Sequence, residues 1–158
     1  MKKGSTFLLK IVTLLIAIAV LVGLIRFPQT EARAANLDLI SIYKDPLIIF
    51  IYIGSTPFFI GLHQAFKLLN LIDSNKAFSQ TAVNTLRIMK FASLCLIGFI
   101  VLAVIYIRLF ASGDDPAGPT MLGICMVLVF GVIATAAGVF QTLLQNAVDL
   151  KSENDLTV

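Results

Sequence analysis

Four long apolar stretches, Phe7 to Ile25, Leu47 to Phe66, Phe91 to Phe110 and Met121 to Leu144, alternate along the chain with polar segments, and all nine acidic residues fall in the polar segments. Each stretch holds about 19 to 24 residues, which at 1.5 Å per residue crosses roughly 30 Å of hydrocarbon as a helix. The pattern predicts an all-α fold: an integral membrane four-helix bundle with short amphipathic cytoplasmic helical extensions. One membrane domain spans 1–158, and residues 145–158 form a cytoplasmic tail.

The polar segments carry their own signals. Arg26 and Phe27-Pro28 are expected to end the first helix, and a polar loop to run on to Asp45-Pro46, an N-cap followed by proline at the first helical position. Within that loop Leu37, Leu39, Ile40, Ile42 and Tyr43 suggest either a short segment at the outer interface or an early start of helix two. Between helices three and four, Gly113-Asp114-Asp115-Pro116 and Gly118-Pro119 read as tight turns. The connection Lys67 to Lys90 is the longest segment outside the spans: Leu68, Leu69, Leu71 and Ile72 continue helix two, and Asp73-Ser74-Asn75 breaks it. Ser79 then caps a new helix, with Phe78 and Val83 placed for a hydrophobic staple. Helix four outruns the bilayer, because Phe140, Leu143, Leu144, Ala147 and Val148 keep helical spacing while Gln141, Gln145, Asn146 and Asp149 fill the other positions; the extension is expected to reach about Lys151.

Composition sharpens the picture in one respect. Only 13% of residues are charged and mean hydropathy is +0.95, so the net charge of +3 comes from loops and ends. The basic residues alternate by side: Lys2, Lys3, Lys10, Lys67, Lys76, Arg87, Lys90 and Lys151 on one, Arg26, Arg33, Lys44 and Arg108 on the other. Because basic residues are retained on the cytoplasmic side, both termini are expected inside, in a cytoplasmic membrane. The basic start and Ala32-Arg33-Ala34 resemble a secretory signal, but the first apolar run exceeds a signal core and ends well before that site. An uncleaved first helix is expected.

The C-terminal run Ala147-Val148-Asp149-Leu150-Lys151-Ser152-Glu153-Asn154-Asp155-Leu156-Thr157-Val158 resembles the signature of the YoaS-like family of uncharacterised small four-pass bacterial membrane proteins, a domain of unknown function. Leu69 to Lys90, with Ile72-Asp73, Lys76-Ala77-Phe78-Ser79 and Leu86, is similar to that family's inner connection. The resemblance brings no activity. It implies a cytosolic partner such as a small helix-turn-helix regulator, and it marks Glu153, Asn154, Asp155, Leu156, Thr157 and Val158 as candidate partner-binding residues. Read from its residues, the acidic tail is first a solvated end and alternatively a docking peptide, in which Leu156 and Val158, alternating at strand spacing, add to a partner's edge strand.

Chemistry within the membrane is not apparent. His63 is the one histidine and has no ligand set at zinc spacing, so it is expected to pack or lie at the interface, with pH sensing as the alternative. Cys95 and Cys125 lie near opposite ends of their helices, too far apart for a disulfide, and are expected to be packing residues. Lys10 and Arg108 are expected to snorkel, with anionic lipid or substrate binding as the alternative. Candidate helix-packing residues are Gly54, Pro57 and Gly61 in helix two and Gly131, Thr135, Gly138 and Thr142 in helix four. Pro57 deprives the Ile53 carbonyl of its partner, which predicts a kink, with Ser55 or Thr56 bonding nearby backbone.

A coupled transporter normally carries an ionisable group inside its bundle, and a hydrolase needs a nucleophile and base or metal ligands at bilayer depth. Neither set is present, nor is a nucleotide-binding loop or a basic aromatic patch for nucleic acid. No catalytic residue, cofactor or metal is therefore expected, and no direct nucleic-acid binding. The leading expectation is a non-enzymatic regulatory or accessory protein with a cytoplasmic partner at its tail. The alternative is a small transporter or efflux component working as a homo-oligomer. A lesser one, from size and topology alone, is an immunity-type binder of membrane-active peptides.

Overall fold

The computed structural model describes residues 3–35, 46–110 and 117–156. They form four helices: α1 Lys3–Ala35, α2 Pro46–Asp73, α3 Gln80–Phe110 and α4 Ala117–Leu156. All four are long and apolar enough to cross a membrane. With 28 to 40 residues each they run roughly 42 to 60 Å, so every one overruns the hydrocarbon.

Contacts between helices set the topology. Lys10 pairs with Asp73 at one end of α1 and α2, and Tyr52 meets Leu24 at the other, so these helices are antiparallel. Gly54 lies against Phe99 and Gly61 against Ala92, which makes α2 and α3 antiparallel. Gly123 meets Val104, Gly138 meets Lys90, and Gln145 meets Gln80, which does the same for α3 and α4. The result is an up-down-up-down bundle in which, among the described residues, backbones pack closely only as α1 on α2, α2 on α3 and α3 on α4. The core sits on α3, which supplies five of the eight buried apolar residues among those described: Ala82, Val83, Leu86, Ala92 and Leu96. Ile48 on α2 and Ala134 and Ala137 on α4 complete it. The most buried, Ala82 and Val83, lie at the start of α3, so the bundle is tightest at its basic end, where α2 joins α3.

Helix α1 departs from the sequence expectation. Arg26 and Phe27-Pro28 do not end it; the helix continues to Ala35 with Pro28 inside. A proline there has no N–H for the carbonyl four residues back, that of Leu24. The Tyr52 hydroxyl donates to that carbonyl at 2.9 Å, so a side chain of α2 supplies the missing donor. Pro28 is fully buried.

The ends of the other helices follow local chemistry. Pro46 opens α2, where its missing N–H has no intrahelical partner to lose. Asn75 adopts a left-handed φ of 56° beyond the end of α2. Its N–H bonds to the Ile72 carbonyl at 3.2 Å and the Lys76 N–H to the Leu71 carbonyl at 2.8 Å, the two bonds of a Schellman cap. Ser79 caps α3, its Oγ accepting from the Ala82 N–H at 3.3 Å and donating to the Lys76 carbonyl at 2.7 Å. Phe78 stays 68% exposed while Val83 is fully buried, so the staple does not enclose Phe78. Gly118 and Pro119 belong to the first turn of α4 rather than to a tight turn, because a proline in the first turn loses no helical bond. The interfacial segment expected over 37–43, Asp45, and the turn at 113–116 lie outside the described residues.

Candidate functional site

Helix α4 defines the most distinctive surface. It continues past the apolar stretch to Leu156, five residues beyond the expected end near Lys151. The segment 145–156 adds roughly 18 Å of helix beyond Leu144. Gln145 anchors its base: its amide pairs with that of Gln80 at the start of α3, Gln80 donating at 3.2 Å, and its Nε2 donates to Asp149 Oδ1 at 2.8 Å. Ser152 Oγ donates to the Asp149 carbonyl at 2.8 Å. Beyond these ties Lys151, Ser152 and Glu153 are exposed. Of the six candidate partner-binding residues, Glu153, Asn154, Asp155 and Leu156 lie in α4, and Thr157 and Val158 lie outside the described residues. Leu156 is helical, which takes it out of the extended conformation that edge-strand addition needs.

Beside the base of this projection lies an open apolar groove of about 430 Å³, bounded by Leu68 and Ile72 of α2, Ala77 and Phe78 of the connection, Leu86 of α3, and Phe140, Leu143 and Leu144 of α4. Sequence reasoning took Phe78 for a staple and missed this groove. The signal was the run of apolar residues on both sides of the connection.

The packing candidates divide. Gly54 and Gly61 face α3: a Cβ on Gly54 would stand 3.3 Å from the Phe99 ring, and one on Gly61 would stand 3.9 Å from Ala92 Cβ. Ser55 Oγ donates to the Tyr52 carbonyl at 2.7 Å. On α4 the expected stripe is not the packing face. Gly131 has no atom within 4 Å of a would-be Cβ, and Thr135 and Thr142 bond only to carbonyls of their own helix, at 2.8 and 3.1 Å. Gly138 alone packs, under the Lys90 stem. The face that meets α3 is carried by Gly123, Ala134 and Ala137, where a Cβ on Gly123 would overlap Val104. Alanine approaches a neighbour nearly as closely as glycine does, and a stripe read from glycine and threonine therefore falls about one residue, or 100°, off the true face.

Two apolar cavities follow the bundle axis. The larger, about 400 Å³, touches all four helices and is lined by Val20, Gly54, Phe99 and Gly123 among others. The smaller, about 140 Å³, is lined by Pro57, Gly61 and Ser93. Phe58, Leu96 and Phe130 border both, with the two rings edge-on at 6.4 Å and 86°. The buried hydroxyls of Thr85 and Ser93 are spent on the carbonyls of Thr81 and Met89, at 2.8 and 3.0 Å. Gln64 Oε1 on α2 is buried without a hydrogen-bond partner.

The remaining candidates resolve individually. Lys10 does not simply snorkel: it forms an ion pair with Asp73 and lies 5.9 Å from the centroid of the Phe66 ring. Arg108 Nε donates to Thr120 Oγ1 at 3.2 Å, across the hairpin from α3 to α4. His63 is exposed on α2. Cys95 and Cys125 are free thiols, and both are exposed rather than packed. Among the described residues no three of His, Cys, Asp and Glu come together as a metal site.

Comparison with known proteins agrees with this architecture. The model of the family described as "Protein of unknown function (DUF2975)" matches residues 28–158. The uncharacterized membrane protein YoaS of Bacillus subtilis (strain 168) is 38% identical over 160 residues, covering 100% of both chains. No solved structure matches.

Proposed function

The chain belongs to the DUF2975 family of proteins of unknown function, and from that premise we propose that it is a non-enzymatic regulatory or accessory protein of the cytoplasmic membrane. In this reading both termini face the cytoplasm, since Lys10, Lys67, Lys76, Arg87, Lys90 and Lys151 gather at the end where α2 joins α3. The observation that carries the reading is the helical projection of α4 through Leu156, anchored at Gln145 and presenting Lys151, Ser152 and Glu153 to water. A membrane anchor that extends a helix beyond its apolar stretch suits docking of a cytosolic protein, such as a small helix-turn-helix regulator. A helix that needed only to span would stop near Leu144.

The test is copurification from gently solubilised membranes, comparing the full chain with one truncated after Gln145. Photo-crosslinkers at Glu153 to Leu156 are expected to capture a cytosolic protein that the truncated chain loses. Identical partners with and without the projection would sink the proposal.

A second reading, a small transporter or efflux component, is favoured by the cavity of about 400 Å³ that touches all four helices. Its lining suits an apolar compound rather than an ion. Flux in proteoliposomes that disappears in Gly54→Leu would support it, and absence of flux across a panel of uncharged hydrophobic compounds would count against it. The open Gly131 and Thr135 face of α4 is the surface on which copies would associate in an oligomer.

A further inference from the structure

The groove at the basic end has a shape and a charge pattern that together select an occupant. Its eight lining residues, Leu68 to Leu144 by way of Phe78, are all apolar, and it lies open beside the start of α3. Lys76 directly precedes Ala77 in its wall. Lys151 follows Leu144 by seven residues on the same helix, which places it on the same face about two turns, or roughly 10 Å, further out. The trough thus has one lysine next in sequence to its wall on the connection and another two turns beyond its wall on α4.

Neither ammonium has an ion-pair partner among the described residues. Asp73, the acid nearest Lys76 in sequence, is held by Lys10. Asp149 and Glu153 each stand two positions from Lys151, and residues two apart on a helix face away from each other. Asp149 also accepts from Gln145.

We propose that this groove is a binding site for one anionic phospholipid, with an acyl chain along Leu68, Ile72, Phe78, Phe140 and Leu144 and the phosphate between Lys76 and Lys151. Two cations without an ion-pair partner among the described residues favour a headgroup of net negative charge over a zwitterionic one, while the wall of leucine and phenylalanine makes no polar demand on the chain. A lipid there fills the gap between α2 and α4 beside the start of α3. The assignment does not depend on which partner, if any, α4 recruits.

The test uses the full chain in a neutral detergent, with thermal unfolding followed as dioleoyl phosphatidylglycerol or dioleoyl phosphatidylcholine is titrated in. Each lysine near an anionic headgroup contributes about fivefold in affinity, so the pair is expected to favour phosphatidylglycerol by about 25-fold. The K76Q/K151Q variant, altered only at surface lysines, is expected to unfold as the parent does without lipid and to bind both lipids alike. Leu144→Trp, which fills the trough, is expected to weaken both, and glycerol phosphate without acyl chains to leave the transition unmoved. Equal response to the two lipids, a preference that survives K76Q/K151Q, or a full effect from glycerol phosphate would each overturn the assignment.

Discussion

Replacing Tyr52 with phenylalanine removes one oxygen atom and leaves the Leu24 carbonyl without its 2.9 Å donor. An unpaired buried carbonyl costs about 1–3 kcal/mol, whereas interhelical hydrogen bonds in membranes average about 0.6 because the separated helices find other partners. Here the alternative partner is missing by construction, since position 28 is proline and has no N–H to offer. The loss should therefore reach about 1–1.5 kcal/mol. Tyr52 makes a further contact of its own, so the single variant does not isolate the bond. A double-mutant cycle with Pro28→Ala does, because an alanine at this position would restore the N–H that closes onto Leu24. Reversible unfolding in mixed micelles with rising dodecyl sulfate is the assay. The expectation is that Tyr52→Phe costs under about 0.5 kcal/mol in the Pro28→Ala background, a coupling of about 1 kcal/mol. Equal costs in both backgrounds would refute the claim that the hydroxyl substitutes for the proline's absent donor.

The same assay reads two further pairs. Gly123→Ala drives a methyl into the stiff Val104 side chain and should destabilise by about 1–3 kcal/mol, while Gly131→Ala, with open space around it, should stabilise by up to about 1 kcal/mol through helix propensity. Equal effects would mean that the packing face of α4 is misplaced. Asn75→Gly should leave stability unchanged or slightly raised, whereas Asn75→Val should cost about 1–2 kcal/mol, because a β-branched residue resists the left-handed φ of 56°. A tolerated valine would argue against the Schellman cap.

Much of the architecture is legible from residues that act on near neighbours. The exclusion of acids from four stretches marks the spans, Pro46 opens α2, and Asp73-Ser74-Asn75 with Ser79 delimits the connection, because caps and turns depend on side chains within a few positions. What escapes is set by partners far away in sequence. Pro28 reads as a helix end until Tyr52, 24 residues on, is seen to supply its donor. Lys10 looks like a snorkelling lysine until Asp73 reaches it across 63 positions. The packing face of α4 is hidden for another reason: alanine and glycine are both small, and nothing in the pattern says which small residues α3 selects. Of the candidate site, Glu153 to Val158 is legible as a sequence signature, whereas the helical state of Leu156 and the groove beneath it depend on three-dimensional arrangement.

The serial packing of α1 on α2, α2 on α3 and α3 on α4 bears on biogenesis. Each helix leaving the ribosome meets as its backbone neighbour the one synthesised just before it, so every principal interface can close as soon as its second member enters the bilayer. No early pair has to reopen to admit a later helix. Loop-closure entropy is small for such adjacent partners, and the half-made chain has few non-native mates to trap it. The first helix, tied to α2 at Lys10–Asp73 and Leu24–Tyr52, is thus secured before α4 exists. The projection that would meet the cytosol appears after the three helices before it, so it is presented only once their interfaces have had time to close.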